Sequence, residues 1–202
     1  APRRTPSQSD DKDERDAIPW ISLFMVCIIV TLRSWVYICL ITYLPMYLQI
    51  RGLDLQTGSL MLTAFLACGA AAGLYGGNLS DRVGRRRVIV VSMLVYPVFA
   101  SLLLVSEGPW LWLLAGASGA ALLASASVAI VLTQELLPRH LGLASGLIMG
   151  MGFGMGGVGS ALAGWLADRI GLQETFWFLA LIPALAAIPA AFIKTRPAGE
   201  GT

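Results

Sequence analysis

The residues best able to do chemistry fall in one short run, Gly77-Asn78-Leu79-Ser80-Asp81-Arg82-Val83-Gly84-Arg85-Arg86-Arg87. It reads G-x-x-x-D-R-x-G-R-R-R. Asp81 is an acid able to meet the positive end of a neighbouring helix. Gly84 suits a tight reversal. Arg82, Arg85, Arg86 and the arginine after them can hold carboxylates, helix C-termini or lipid phosphates. Gly69, Gly73 and Gly77 recur every four residues ahead of the acid, a small face on which another helix can lie closely, and Asp81 extends it by one further step. A second candidate is Arg33, the one basic residue deep inside an apolar stretch. A charge there costs at least about 2.5–3.5 kcal/mol unless it faces a wet cavity or a partner. Two readings stand for it: an anion-attracting or gating arginine in a central cavity, or a structural arginine held by carbonyls or a carboxylate. Tyr37, one turn on, shares its face.

Other chemistries lack their parts. The single histidine, His140, and the unspaced Cys27, Cys39 and Cys68 offer no metal or disulfide framework. No P-loop and no Ser–His–Asp set is present. The expectation is a protein that is not an enzyme, holds no metal or cofactor and binds no nucleic acid.

The elements that position these residues follow from composition. The chain has 202 residues, 56% of them hydrophobic and 13% charged. Its mean hydropathy is +0.73. An average soluble domain is roughly 25% charged, so this chain lacks the polar residues to cover a water-exposed surface. Six apolar stretches run over about 19–49, 57–79, 87–106, 109–136, 141–167 and 174–193. Each meets the roughly 20 residues a helix needs to cross about 30 Å of hydrocarbon. None alternates as the ~10-residue strands of a barrel do. Because backbone groups in lipid must be satisfied within the segment, six transmembrane helices are expected. The first stretch exceeds a straight span, and Pro45 near its end predicts a kink or an interfacial extension.

The domain reading is a polar, disordered tail over 1–17, a six-helix transmembrane domain over 18–196 and a short tail over 197–202. The chain starts at Ala1 rather than Met, which reads as processing or as a piece of something longer. Charge sets the orientation. Eleven of the fourteen Lys and Arg residues fall on one side of the predicted spans, in the N-terminal tail, at Arg82 and Arg85 to Arg87, at Arg139, and at Lys194 and Arg196. The opposite side has Arg51 and Arg169. The positive-inside rule then places both termini in the cytoplasm. Trp20, Trp110, Trp112 and Trp177 lie near span ends, as interfacial anchors do.

The eleven-residue run resembles the loop signature of the major facilitator superfamily of secondary transporters. A second segment, Glu135-Leu136-Leu137-Pro138-Arg139-His140-Leu141-Gly142-Leu143-Ala144-Ser145-Gly146, is similar to that family's E-x-x-P…G-x-A-x-G connection. The family's usual arginine before the glycine is Leu141 here, and Arg139 is the nearby substitute. Gly164-Trp165-Leu166-Ala167-Asp168-Arg169-Ile170-Gly171 repeats G-x-x-x-D-R-x-G one three-helix unit later, as two inverted three-helix repeats would. Within the superfamily, Leu32-Arg33-Ser34-Trp35-Val36-Tyr37 and Thr42-Tyr43-Leu44-Pro45-Met46-Tyr47-Leu48 look like the seventh helix of fosmidomycin-resistance-type efflux proteins.

The resemblance covers about residues 19 to 194 and implies an all-α six-helix bundle, the C-terminal half of a major facilitator fold. The first tail would then be the end of a central cytoplasmic linker. The implied protein is a proton-coupled antiporter for efflux of small molecules or drugs in a bacterial inner membrane, with uptake of a sugar or organic acid as the alternative. A membrane scaffold or enzyme is the remaining reading. The implied partners are a small-molecule substrate, the lipid bilayer and an N-terminal six-helix half outside this chain. The implied energy source is the proton gradient. The predicted gating loop is Gly77, Asp81, Arg82, Gly84, Arg85 and Arg86, and the second connection is Glu135, Pro138, Arg139 and Gly142. No acid lies mid-span, and Glu135 is the weak proton-coupling candidate of this half. Gly142, Gly146, Gly150 and Gly154 recur at four-residue spacing in the fifth stretch, which is compatible with tight packing or with a helix that bends during transport.

Overall fold

The computed structural model describes residues 20–193. The tail expected at 1–17, the tail at 197–202, and Lys194 and Arg196 lie outside the described residues. Six helices make up the bundle: α1 (Trp20–Ile50), α2 (Leu55–Val83), α3 (Arg85–Val105), α4 (Trp110–Leu136), α5 (Leu141–Ile170) and α6 (Leu172–Phe192). All six are long and apolar enough to cross a membrane. The 31 residues of α1 rise about 46 Å, more than the hydrocarbon thickness, so its ends project beyond the apolar layer. It runs through Pro45 as one helix to Ile50. Two helices extend past the apolar stretches read from sequence. α2 continues through Asp81 and Arg82 to Val83, and α5 through Asp168 and Arg169 to Ile170.

Both of those helices stop at a glycine for the same reason. Gly84 has φ +101° and Gly171 has φ +96°, a region closed to side chains with a Cβ. The Gly84 N–H donates to the Ser80 carbonyl at 3.0 Å and the Gly171 N–H to the Ala167 carbonyl at 2.9 Å. The two D-R-x-G sequences therefore build the same helix–glycine–helix corner. Gly84→Ala is expected to cost about 1–3 kcal/mol in thermal unfolding. An unchanged melting temperature would mean the corner is not held as described.

The packing obeys the same exchange of halves. α2 lies on α4 as α5 lies on α1, α3 lies on α4 as α6 lies on α1, and α3 and α6 meet each other. Glycines let α2 and α4 approach. A Cβ on Gly69 would come within 3.1 Å of the Gly119 carbonyl, one on Gly76 within 2.8 Å of the Ala124 carbonyl, and one on Gly119 would collide with the Phe65 carbonyl. The third member of the α2 stripe is Gly76 rather than Gly77, which faces open space. A straight α-helix turns 3.6 residues per cycle, so a strict step of four drifts off the contact line and a step of three restores it.

Two large apolar clusters fill most of the bundle, and a small third joins Leu23, Leu137 and Ala144. One joins Leu44 and Tyr47 of α1 to Phe65, Tyr96, Leu122 and Phe176. The other, nearer the arginine-rich end, joins Val26 and Ile29 to Ile89, Met93, Val128 and Ala186. Buried hydroxyls on α4 are satisfied within the helix: Ser118 donates to the Ala115 carbonyl at 2.9 Å, Ser125 to Leu122 at 2.9 Å and Thr133 to Ala129 at 2.8 Å. That local pairing lets polar side chains sit in the core without a partner helix supplying acceptors.

Candidate functional site

The Gly84 corner places Arg85 at the first position of α3, one turn beyond Asp81 in the last turn of α2. Arg85 Nη2 lies 3.2 Å from Asp81 Oδ1 and 2.7 Å from Glu135 Oε1 at the end of α4. One guanidinium nitrogen thus ties the ends of three helices together. Arg85 is largely covered, with 17% of its side chain exposed, whereas the two acids stay 63% and 52% exposed. Arg85 Nη1 is buried without a hydrogen-bond partner among the described residues. Half-exposed carboxylates are screened by water, so each pair contributes on the order of 0–1 kcal/mol. The arrangement has the energetics of a latch that opens readily, not of a brace. Glu135→Gln is accordingly expected to change stability by less than about 1 kcal/mol in thermal unfolding. A loss of several kcal/mol would identify a structural role instead.

The structure thus joins the first predicted loop to the second connection. Sequence reasoning placed Arg85 in the first loop and Glu135 in the second connection but did not pair them. The available signal was the opposite charge at neighbouring helix ends. Among the described residues, the ion-pair partner of Asp81 is Arg85, at the N-terminus of α3. Arg82 and Arg86 are exposed and make no ion pair among the described residues. Gly77 has open space beside it.

In the second connection, the His140 N–H donates to the Leu137 carbonyl at 3.0 Å and forms the turn that leads into α5. Gln134 Nε2 donates to Ser145 Oγ at 3.2 Å and clips α4 to α5 across that turn. Pro138 and Arg139 are exposed, and Gly142 has open space beside it.

Arg33 lies thirteen residues into α1, about 20 Å along the helix. It is half-buried. Its Nη2 donates to Ser34 Oγ at 3.3 Å, and its Nε is buried with no hydrogen-bond partner among the described residues. No carboxylate pairs with it among the described residues. Tyr37 is half-buried against the larger apolar cluster. The geometry therefore offers a mid-span cation with no carboxylate counter-charge among the described residues.

The α5 glycines divide into two faces. Gly152, Gly156 and Gly159 abut Ser34, Ile38 and Trp35 of α1. Gly142, Gly146, Gly150 and Gly154 have nothing within 4 Å of where a Cβ would stand. Those four pack on no other helix among the described residues. The reason is again the helical period, which carries a step of four away from the α1 contact.

Sequence reasoning also missed Arg51. Its Nη1 donates to the Leu103 carbonyl at 3.2 Å and its Nη2 to the Ser106 carbonyl at 2.8 Å. It caps the end of α3 and fastens it to α1, satisfying carbonyls left over at a helix terminus.

Comparison with known proteins gives a consistent result. The family model described as Major Facilitator Superfamily matches residues 20–202. The Fosmidomycin resistance protein of Escherichia coli strain K12 is 35% identical over 162 residues, covering 79% of this chain and 40% of that protein. An uncharacterised MFS-type transporter of Bacillus subtilis strain 168 is 38% identical over 133 residues, covering 65% of this chain and 32% of that protein. The Gentisate transporter of Corynebacterium glutamicum is 30% identical over 152 residues, covering 71% of this chain and 33% of that protein. The chain spans two fifths or less of the length of these relatives.

Proposed function

The chain belongs to the Major Facilitator Superfamily and is a multi-pass membrane protein, and from that premise we propose that it forms the C-terminal six-helix bundle of a proton-driven exporter of small anionic molecules. The observation that carries the reading is Arg33, a mid-span guanidinium with no carboxylate partner among the described residues. Desolvating such a charge is offset when a negative ligand occupies the site. Resistance in the name of the Escherichia coli relative supports export. Energy comes from the proton gradient rather than from a bound cofactor, and the chain carries out no covalent chemistry.

The partner is an N-terminal six-helix half. It docks on the exposed faces of α2 and α5, where Leu60, Leu74, Phe153 and Leu162 stand out beside the open Gly146, Gly150 and Gly154. The bundle rocks against that half around a midplane site. The Arg85 cluster holds one of the two conformations and parts in the other, and Gly84 is the corner about which α2 and α3 are set. The arginine-rich end faces the cytoplasm of a bacterium, as the positive-inside rule requires, so both termini lie there and the membrane is the inner one.

Proteoliposomes holding the assembled transporter test the reading, with fosmidomycin as cargo and an imposed pH gradient. Accumulation that collapses with the gradient is expected. Absence of gradient-dependent flux for any anionic solute, in vesicles of either orientation, overturns it. A second reading, uptake of an organic acid, is supported by the same arginine and by the name of the Corynebacterium relative. Flux of gentisate in the inward direction only would favour it.

A further inference from the structure

α2 and α3 both pack on α4 but diverge from each other, and this leaves a groove between them. The groove has a volume of about 670 Å³. Tyr75 and Leu79 of α2 and Val91 of α3 form apolar walls, and Ala124 of α4 forms the floor. The Gly84 corner closes the arginine-rich end. There Arg82, in the last turn of α2, and Arg87, in the first turn of α3, stand on either side of the mouth. Both arginines are exposed, and neither makes an ion pair among the described residues. Their neighbour Arg85, in contrast, is already neutralised by Asp81 and Glu135. From Gly84 back to Ala72, at the far end of the groove, α2 rises about 18 Å, the reach of a lipid acyl chain.

We infer that this groove is a binding site for an anionic glycerophospholipid. One acyl chain lies along Tyr75, Leu79 and Val91, and the phosphate sits between Arg82 and Arg87. The charge pattern selects the occupant. Helix ends of a membrane-spanning protein lie at headgroup depth, where a guanidinium pair is complementary to a phosphate diester that carries a net negative charge. A zwitterionic headgroup has its own ammonium to neutralise that phosphate and gains less. A long apolar groove argues against a free inorganic anion as the intended ligand, because such an anion uses none of the apolar wall. The site lies between two helices on the flank of the bundle and is separate from Arg33.

The experiment uses the assembled transporter in nanodiscs of phosphatidylcholine with graded phosphatidylglycerol, and native mass spectrometry counts the lipid retained. Retention of phosphatidylglycerol in preference to phosphatidylcholine is expected. R82Q and R87Q are each expected to reduce that preference about fivefold, the effect of one basic residue at a membrane surface. R86Q removes the same charge from the adjacent exposed position outside the groove, and its loss is expected to be clearly smaller than that of R82Q or R87Q, because it removes only screened surface attraction and no contact to the phosphate. V91W fills the apolar wall and is expected to displace the lipid while both arginines remain. Equal retention of the two lipids, an R86Q loss as large as that of R87Q, or undiminished binding in V91W each overturns the site. So does a V91C variant that cross-links to another helix of the transporter instead of to a photoactivatable phosphatidylglycerol. Transport is not the readout, so failure here is distinct from failure of the exporter assignment.

Discussion

Replacing Gly119 by valine is expected to leave little or no folded protein. A Cβ at that position collides with the Phe65 carbonyl, and the obstacle is backbone, which no change of rotamer can move aside. The contact is reciprocal, since Gly69 of α2 sits against the Gly119 carbonyl and Leu123. In lipid, helices associate through close van der Waals packing rather than through a hydrophobic drive, so separating α2 from α4 forfeits the main term that joins them. Overpacking typically costs about 1–3 kcal/mol, and a branched side chain against backbone belongs at or above the upper end. Gly76→Ala is expected to act in the same direction, because its Cβ would stand 2.8 Å from the Ala124 carbonyl. Gly77→Ala, one residue away, meets open space and is expected to be neutral or to gain up to about 1 kcal/mol from helix propensity. Size-exclusion profiles and thermal unfolding of the three variants decide the matter. Equal yields for Gly119→Val and Gly77→Ala would refute the packing account.

Arg33→Gln is expected to separate stability from transport. Removing a mid-span charge relieves an insertion cost of about 2.5–3.5 kcal/mol, so the variant should be at least as stable as the parent. Transport of an anion should fall about tenfold to a hundredfold, the worth of a hydrogen bond to a charged group. Arg33→Lys keeps the charge but not the paired donors and should fall between the two. A structural arginine would behave in the opposite way: Arg33→Gln would then lower the melting temperature and leave the transport rate per folded molecule unchanged. Thermal unfolding and vesicle flux, measured on the same preparations, distinguish the two.

The helices were legible because their signal is additive along the chain. About twenty apolar residues in succession need no information from elsewhere to require a helix in lipid. The corner at Gly84 was legible too, since a positive φ is a local demand that glycine meets. The α2 stripe was half legible. Gly69 and Gly73 were rightly read as packing positions, but the step from Gly73 to Gly76 depends on where α4 lies. The α5 glycines show the same limit more strongly. Gly152, Gly156 and Gly159 bear on α1, while the regular series Gly142, Gly146, Gly150 and Gly154 faces away from it.

Arg85 marks the boundary between the two kinds of knowledge. Its identity, its charge and its place just after a glycine corner were determined by sequence alone, as were the six spans and the repeated D-R-x-G. Its union with Glu135, fifty positions along the chain, was decided only by the tertiary structure. So was the cap that Arg51 places on α3. Composition and helical period act through neighbours in the chain, whereas an ion pair or a glycine contact acts through distance in space. That distance exists only after α2 and α3 have both settled on α4.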